Sequence, residues 1–478
     1  MAVDLLCRRQ IKLGAPLWCC HKQPIVRNKS NRIFENRRMI ASRCQWCHNC
    51  RSRTFVINPR AIPETSAMLK GSYSECADKN LLNSYMDLGN GSDIRGIAVG
   101  DGMNLTPLKV FFISVAFVYI CKRSKQREEE KGKLNLPDND QKIDESLRLC
   151  VGLDPRLSGP ELCAAAIAGM RYAGCDEVLD GTLATTPAVF MATQLLGVFG
   201  GIMLTASHLP PDRNGMKFFT KRGGLTKEDI ETILSMAASF HEKTESQDLG
   251  NAMNLLSDWL GRKESKAIDK GCIMPAYSNH LRQCILSAVN ESASVPSSED
   301  EKLPLKGMHI VVDAGNGSGG FFVDQVLTPL GATIDGSQLL DPDGTFPVHS
   351  PNPENAEAMQ SAAKAVLSAG ADIGIVFDTD VDRCAVVSKD GVAINRNRLI
   401  AIITEIILQQ HPGTTIVTDS VTSDGLASFI ASKGGKHVRY MRGYKNVINK
   451  GIQLNNEGEE CHVMIETSGH GALKVRSM

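Results

Sequence analysis

Three polar loops carry the residue types that could do chemistry. The first is Thr205-Ala206-Ser207-His208-Leu209-Pro210, with Lys217 behind it. A serine that follows a buried strand is held rigidly, and a phosphoryl group on it would supply charge and three acceptor oxygens. His208 adjoins that serine, and Lys217 could neutralise the charge or shuttle a proton. A hydrolase pair is a poorer reading, because sequence neighbours rarely point at one another as a triad requires. A Ser-His dipeptide in a loop is more often a turn with local hydrogen bonds.

The second loop is Asp378-Thr379-Asp380-Val381-Asp382-Arg383. Aspartates at alternate positions can aim three carboxylates at one point, and hard oxygen ligands of this kind suit Mg²⁺. Three clustered like charges repel unless a cation sits among them. A calcium-binding EF-hand needs Gly at loop position 6 and Glu at position 12, where Arg383 and Lys389 stand, so it is excluded. A solvated acidic turn is the competing reading. Arg383 adds a planar cationic fork for a phosphate or carboxylate. The third loop is Glu466-Thr467-Ser468-Gly469-His470-Gly471. Its carboxylate and hydroxyl can grip sugar hydroxyls by hydrogen bonds, although a strand-ending turn would look the same.

Lesser candidates are Ser92-Asp93-Ile94-Arg95-Gly96, Asp154-Pro155-Arg156-Leu157-Ser158 and Arg442-Gly443-Tyr444-Lys445. Each sets a cation beside Gly or Ser, which suits phosphate contact; each alone is more often a cap or turn. Asp313-Ala314-Gly315-Asn316-Gly317 lacks the G-x-G-x-x-G spacing of a dinucleotide loop and reads as a tight strand-to-helix turn.

These loops need elements to hold them, and one unit recurs. A short β-rich run ends in a polar loop and a helical stretch follows. The runs are Leu147–Leu153, Gly200–Leu204, His309–Val312, Ile373–Phe377, Thr415–Val417 and His462–Ile465. Helical patterns lie at Gly159–Ala173, Lys227–Ser239, Asn355–Ser368 and Arg398–Gln409. Alternating strands and helices imply α/β domains with mostly parallel sheets, whose ligands gather at the carboxyl ends of the strands. The Ser/Pro/Glu-rich text at 291–304 reads as a linker or surface loop. Residues 107–133 interrupt the pattern: Val110–Cys121 is almost wholly apolar and a charge cluster follows. Such a run is short of the ~20 residues that span a bilayer. A buried helix or strand is the better reading, with a membrane anchor, suggested by the basic flank, as its rival.

A chain of 478 residues with 42% hydrophobic content can build several domains. Lys+Arg and Asp+Glu are 53 each, so bulk charge gives no support for nucleic acid or an anionic membrane as partner. The first 60 residues are Arg-rich, with Asp4 and Glu35 their acids, and resemble an organelle transit peptide; a disordered basic tail is the alternative. Cys44, Cys47 and Cys50 sit three apart near His48, but no second Cys/His pair follows at finger spacing.

Taken in order, TASHLP, DTDVDR and ETSGHG resemble the phosphoserine, metal and sugar loops of the α-D-phosphohexomutase superfamily, the metal loop being usually written with Gly where Thr379 and Val381 stand. The resemblance covers roughly Leu88–Lys474. It implies related α/β domains with mixed, mostly parallel sheets around a central cleft. Residues 1–87 would be transit peptide and linker, 88–264 domain I, 265–390 domain II and 391–478 an incomplete domain III, with the family's fourth domain absent. It further implies that Ser207 is the phosphorylated residue and binds Mg²⁺ with Asp378, Asp380 and Asp382. Arg95, His208 and Lys217 would flank the transferring group. Glu466, Ser468, His470, Arg383, Arg156 and Lys445 would hold substrate. The implied activity interconverts hexose 1- and 6-phosphates, glucose favoured, with a hexose 1,6-bisphosphate as activator. The implied setting is the chloroplast stroma, as a monomer or weak dimer without stable membrane association. An inactive sugar-phosphate-binding or regulatory form and a metal-dependent phosphatase are the alternatives.

Overall fold

The structure, a computed structural model, describes residues 18–19, 78–133, 146–244, 272–289 and 303–474. Apart from Trp18–Cys19, the first 60 residues lie outside them, as do the Cys44/Cys47/Cys50 cluster and residues 291–302 of the expected linker.

Three sheets are built from the recurring unit. In the first, the strands run in the order Gly89–Asn90, Asp93–Ile97, Arg213–Thr220, Gly200–Leu204, Arg148–Leu153 and Glu177–Leu183, with Gly223–Gly224 added to Arg213–Thr220. Arg148–Leu153 is parallel to both its neighbours, and Arg213–Thr220 is antiparallel to both of its own in this order. The second sheet orders Ala393–Ile394, Cys384–Ser388, Ile373–Phe377 and Ile310–Asp313, the last pair parallel. The third orders Trp18–Cys19, Gly471–Leu473, Cys461–Ile465, Thr415–Asp419 and Lys436–Tyr440. All five residues of Gly200–Leu204, Thr415–Asp419 and Cys461–Ile465 are buried. That continuous burial, rather than alternation, marks sheets covered on both faces; Gly200–Leu204 is accordingly an apolar run, while Thr415–Asp419 buries Thr415, Thr418 and Asp419 as well.

Local signals fix the helix starts. Thr185 accepts from the Ala188 N–H ahead of Thr186–Leu195, and Pro187 fits the first turn, where no N–H is needed. Thr226 and Asp229 form a reciprocal capping box for Lys227–Lys243. Asn355 caps Ala356–Ala369, which ends at Gly370 with φ 63°. Arg396–Gln410 begins two residues earlier than its apolar pattern predicts, because Asn395 caps it.

The buried helix or strand expected at Val110–Cys121 is a helix, and it continues the domain rather than interrupting it. Residues 107–133 form one helix, Pro107–Lys133, with Val110–Val118 buried. It packs against Gly159–Tyr172 and Lys227–Lys243. The approach to the former is so close that a Cβ at Gly169 would lie 2.3 Å from the Phe111 carbonyl oxygen. Phe117 meets Phe218 at 5.1 Å between ring centroids. The run is apolar because it is a wall of the first domain. No helix among the described residues is long and apolar enough to cross a membrane.

Candidate active site

The strand ends of the three sheets converge on one cleft. Ser207 follows Gly200–Leu204 in the left-handed region, φ 52°, and its side chain is nearly buried. Its Oγ donates to Asp378 Oδ2 at 3.1 Å and accepts from Arg383 Nη2 at 2.7 Å. The same Nη2 lies 2.7 Å from His208 Nδ1. Arg383 is oriented by Asp378, which accepts its backbone N–H and its Nε–H, both at 3.0 Å.

Asp378, Asp380 and Asp382 are buried, and each offers an oxygen within 4.8 Å of the others'. Lys217 Nζ donates to Asp380 Oδ2 at 2.9 Å and to Asp382 Oδ2. Thr186 Oγ1 also donates to Asp380 Oδ2. The other oxygens, Asp380 Oδ1 and Asp382 Oδ1, are buried without a hydrogen-bond partner. Burial and Asp382 push the Asp378 carboxyl well above its usual range. Asp380 is held down: burial and Asp382 oppose this, but Lys217 and Thr186 prevail. Asp382 is held well down, against burial, by Lys217 and His470. Three carboxylates with two orphaned oxygens, one of them resisting ionisation, fit a divalent cation, because a cation would satisfy the oxygens and let the third acid ionise.

Burial works to lower Lys217, but Asp380 and Asp382 overcome it and hold the ammonium above the ordinary lysine range. His208 is shifted down by burial and then by Arg383, so at neutral pH it is a neutral base. Arg95 donates to the Thr205 carbonyl and to Asp93 Oδ2, the latter at 2.8 Å.

The cleft encloses about 280 Å³ and is lined by Ser207, His208, Arg95, Lys217, Asp382 and Arg383, together with Ser468 and His470 from the third sheet. A rigid strand-end serine, a carboxylate triad, three fixed cations and a neutral imidazole form a setting for phosphoryl transfer, which depends on positioning and charge neutralisation. Sequence profiles of phosphoglucomutase/phosphomannomutase alpha/beta/alpha domains I, II and III match residues 139–244, 277–391 and 395–478. The chain belongs to the α-D-phosphohexomutase superfamily. It is 30% identical over 328 residues to a phosphomannomutase/phosphoglucomutase of Pseudomonas aeruginosa, covering 69% of this chain and 62% of that protein. A phosphoglucomutase of Neisseria gonorrhoeae is 28% identical, over 82% of this chain and 71% of its own length. A phosphoglucomutase/phosphomannomutase family protein of Burkholderia thailandensis has the same fold, with TM-score 0.59, 26% identity, and coverage of 81% of this chain and 72% of its own. The chain thus spans less than two thirds of the length of the Pseudomonas relative.

Within this phosphohexomutase fold, most of the expected site residues meet in the cleft, and three stand elsewhere. Arg156, expected to hold substrate, is fully buried, and all five of its N–H groups are used on Asp154 and on the carbonyls of Ser207, Leu209, Pro210 and Arg213. It has no donor left for a ligand, so that expectation is corrected. Lys445 turns its amine onto the Gly224 carbonyl at 3.1 Å and does not line the cleft. Glu466 lies behind the cleft, where it accepts from the Gly443 N–H and the Ser468 hydroxyl, both at 2.7 Å. It orients Ser468, whose Oγ also lies 2.9 Å from His470 Nδ1.

Two cleft residues carry no signal of their own in the sequence. Tyr444 stacks on His470 at 5.2 Å between centroids, and Thr186 fixes Asp380 from a helix start. The Thr185-Thr186-Pro187 run after a strand marks that helix start, but nothing in it points to Asp380. The bulky residues of the metal loop also leave traces. Val381 has φ 59° and the Thr379 hydroxyl is buried without a partner, yet the three carboxylates still converge.

Proposed function

We propose that this protein interconverts hexose 1-phosphate and hexose 6-phosphate, glucose favoured, through a phosphorylated Ser207. The observation that carries the reading is Ser207 Oγ itself, strand-anchored and joined at once to Asp378 and Arg383 beside a triad of buried carboxylates.

The phosphoryl group on Ser207 passes to the free hydroxyl of the hexose monophosphate. The Oγ–P bond breaks as the sugar O–P bond forms, and the hydroxyl proton is relayed by neutral His208 onto Ser207 Oγ. The hexose 1,6-bisphosphate so formed turns over in the cleft and returns its other phosphoryl group to Ser207 by the reverse exchange. Arg383 and Arg95 offer fixed cations to the phosphoryl oxygens. Lys217, held protonated, offsets the charge of Asp380 and Asp382. Ser468 and His470 face the cleft where a sugar ring would lie. Asp378, Asp380 and Asp382, with Ser207, would hold a Mg²⁺, which when bound supplies neutralising charge to the transferring group. An added hexose 1,6-bisphosphate would phosphorylate Ser207 and so act as activator. The Arg-rich, acid-poor leader fits an organelle transit peptide, and the choice of a plastid over a mitochondrion rests in part on the family resemblance.

The test is conversion of glucose 1-phosphate to glucose 6-phosphate by the purified chain with Mg²⁺ and glucose 1,6-bisphosphate, with Ser207→Ala as control. Product that vanishes in the control supports the reading. Folded protein that yields none overturns it, and binding of sugar phosphate without turnover would then assign a non-catalytic role.

A further inference from the structure

We infer that Arg156 and Phe346 form a rear brace that positions Ser207 against the metal loop. The inference rests on the phosphoryl-transfer reading of that serine. The two loops meet at the front of the cleft through Ser207 Oγ, Asp378 and Arg383. They also meet behind it, through residues that touch neither the metal ligands' free oxygens nor the cleft.

The brace begins at the serine's own backbone. The Ser207 N–H donates to Thr205 Oγ1 at 2.8 Å, and Thr205 Oγ1 donates to Asp154 Oδ2 at 2.7 Å. The Ser207 carbonyl accepts from Arg156 Nη2 at 2.5 Å, and Asp154 Oδ2 accepts from Arg156 Nε at 3.1 Å. Both polar groups of the Ser207 peptide backbone are therefore tied to one buried Asp154–Arg156 pair. The remaining guanidinium N–H groups hold the carbonyls of Leu209, Pro210 and Arg213, so one side chain sets the course of the loop from 207 to 213. A serine at φ 52° is disfavoured, and such a conformation persists where its surroundings over-determine it.

The second sheet's domain closes on this pair. The Phe346 ring lies 5.4 Å from the Arg156 guanidinium carbon, a cation–π contact. Gly344 presses on the same segment: a Cβ there would fall 2.2 Å from the Pro155 carbonyl oxygen and 2.8 Å from Arg156 Cα. Only a glycine permits that approach. From this point the chain of contacts runs to the metal loop. The Asp343 N–H donates to the Asn316 carbonyl at 2.9 Å, and the Ser318 N–H donates to the Thr379 carbonyl at 2.8 Å, next to Asp378 and Asp380. A Cβ at Gly317 would meet the Thr379 carbonyl oxygen at 2.8 Å. Ser207 and the carboxylate triad are thus fixed to each other by a closed circuit, and a shift of Arg156 or Phe346 must change their separation.

The test uses the full chain as wild type, Arg156→Lys and Phe346→Ala. Two readouts are taken. One is the single-turnover rate of phosphoryl transfer from labelled glucose 1,6-bisphosphate to Ser207, over a range of bisphosphate concentration. The other is amide hydrogen exchange at 205–213 compared with the helix 159–172, which needs no activity. Phe346→Ala should slow transfer at saturation by about 2- to 30-fold, the worth of a cation–π contact, with the half-saturating concentration within about twofold. Arg156→Lys, with at most three donors for five acceptors, should slow it by about 100-fold, the cost of misplacing reacting groups. In both, exchange should quicken at 205–213 and not in 159–172. Wild-type transfer and exchange in Phe346→Ala would overturn the inference, as would exchange that quickens evenly through the first domain. If Arg156→Lys does not fold, Phe346→Ala decides. If wild type takes no label yet exchange quickens at 205–213 in the variants, the brace stands as a loop-holding device and the phosphoryl-transfer reading falls.

Discussion

Replacing Val381 should cancel an ordinary rule of protein stability. Val381 is 4% exposed, packs with the second sheet's core and has φ 59°. A residue with a Cβ in that region costs roughly 1–2 kcal/mol relative to its right-handed form. Valine to alanine removes two methyl groups, worth about 1.6 kcal/mol at ~0.8 per buried carbon, and leaves the Cβ strain in place. Alanine to glycine usually costs about 0.5–1 kcal/mol through backbone entropy. Here that step also releases the strain, but it removes the buried Cβ as well, worth another ~0.8 kcal/mol, so the three terms come out near zero. Val381→Gly should therefore be about as stable as Val381→Ala in urea or guanidinium denaturation of the full chain. Val387, fully buried in the strand Cys384–Ser388, is the control, and there the glycine variant should be the less stable. If the alanine-to-glycine step costs as much at 381 as at 387, the metal loop does not store the strain assigned to it.

Two further outcomes follow from the site and its supports. Thr186→Val removes the hydroxyl that fixes Asp380 Oδ2, and should weaken Mg²⁺ or Mn²⁺ binding by about 10- to 100-fold in calorimetry, as losses of supporting hydrogen bonds do. His349 lies with Nε2 3.1 Å from Asp313 Oδ2 and Nδ1 3.2 Å from the Ser350 carbonyl, so both ring nitrogens face acceptors, and Asp313 raises its pKa against the opposing effect of burial. A raised pKa gives stability that is full below the unfolded value of about 6.5 and is lost as pH rises through the folded value. His349→Gln should flatten that part of the stability curve, and an unaltered curve would refute the pairing.

The strand-and-loop order was legible where strands such as Gly200–Leu204 and Ile310–Asp313 are buried on both faces and so stand out as short apolar runs ending in polar turns. The structure extends Thr415–Val417 to Asp419 and Lys227–Ser239 to Lys243, where polar residues carry on an element that hydrophobicity alone would end. The carboxylate triad was legible because alternate aspartates have few other uses. The helix at 107–133 was harder, since an apolar run lacks the periodicity that separates a wall of the core from other buried elements. Its meaning depends on Gly169, distant in sequence, which admits its backbone. Arg156 misled for a related reason. A cation beside Gly and Ser looks the same whether it faces a ligand or five backbone and carboxylate oxygens, and the latter are brought to it by the pairing of Arg148–Leu153 with Gly200–Leu204.

The charge of the site links its two expected additions. Asp378, Asp380 and Asp382, if all ionised, carry three negative charges against the two positive charges of Lys217 and Arg383, a formal excess of one negative charge. Arg95 does not alter this, since Asp93 pairs with it. A phosphoryl group on Ser207 would add about −1.5 to −2 in the same buried space. Such an accumulation is costly where water is excluded. The site already relieves the smaller excess by pushing the Asp378 carboxyl toward its neutral form, and the larger one calls for a cation. The orphaned oxygens of Asp380 and Asp382 lie where that cation would be received. Phosphorylation of Ser207 must then tighten divalent-cation binding, and by reciprocity the cation must stabilise the phosphoserine by the same factor.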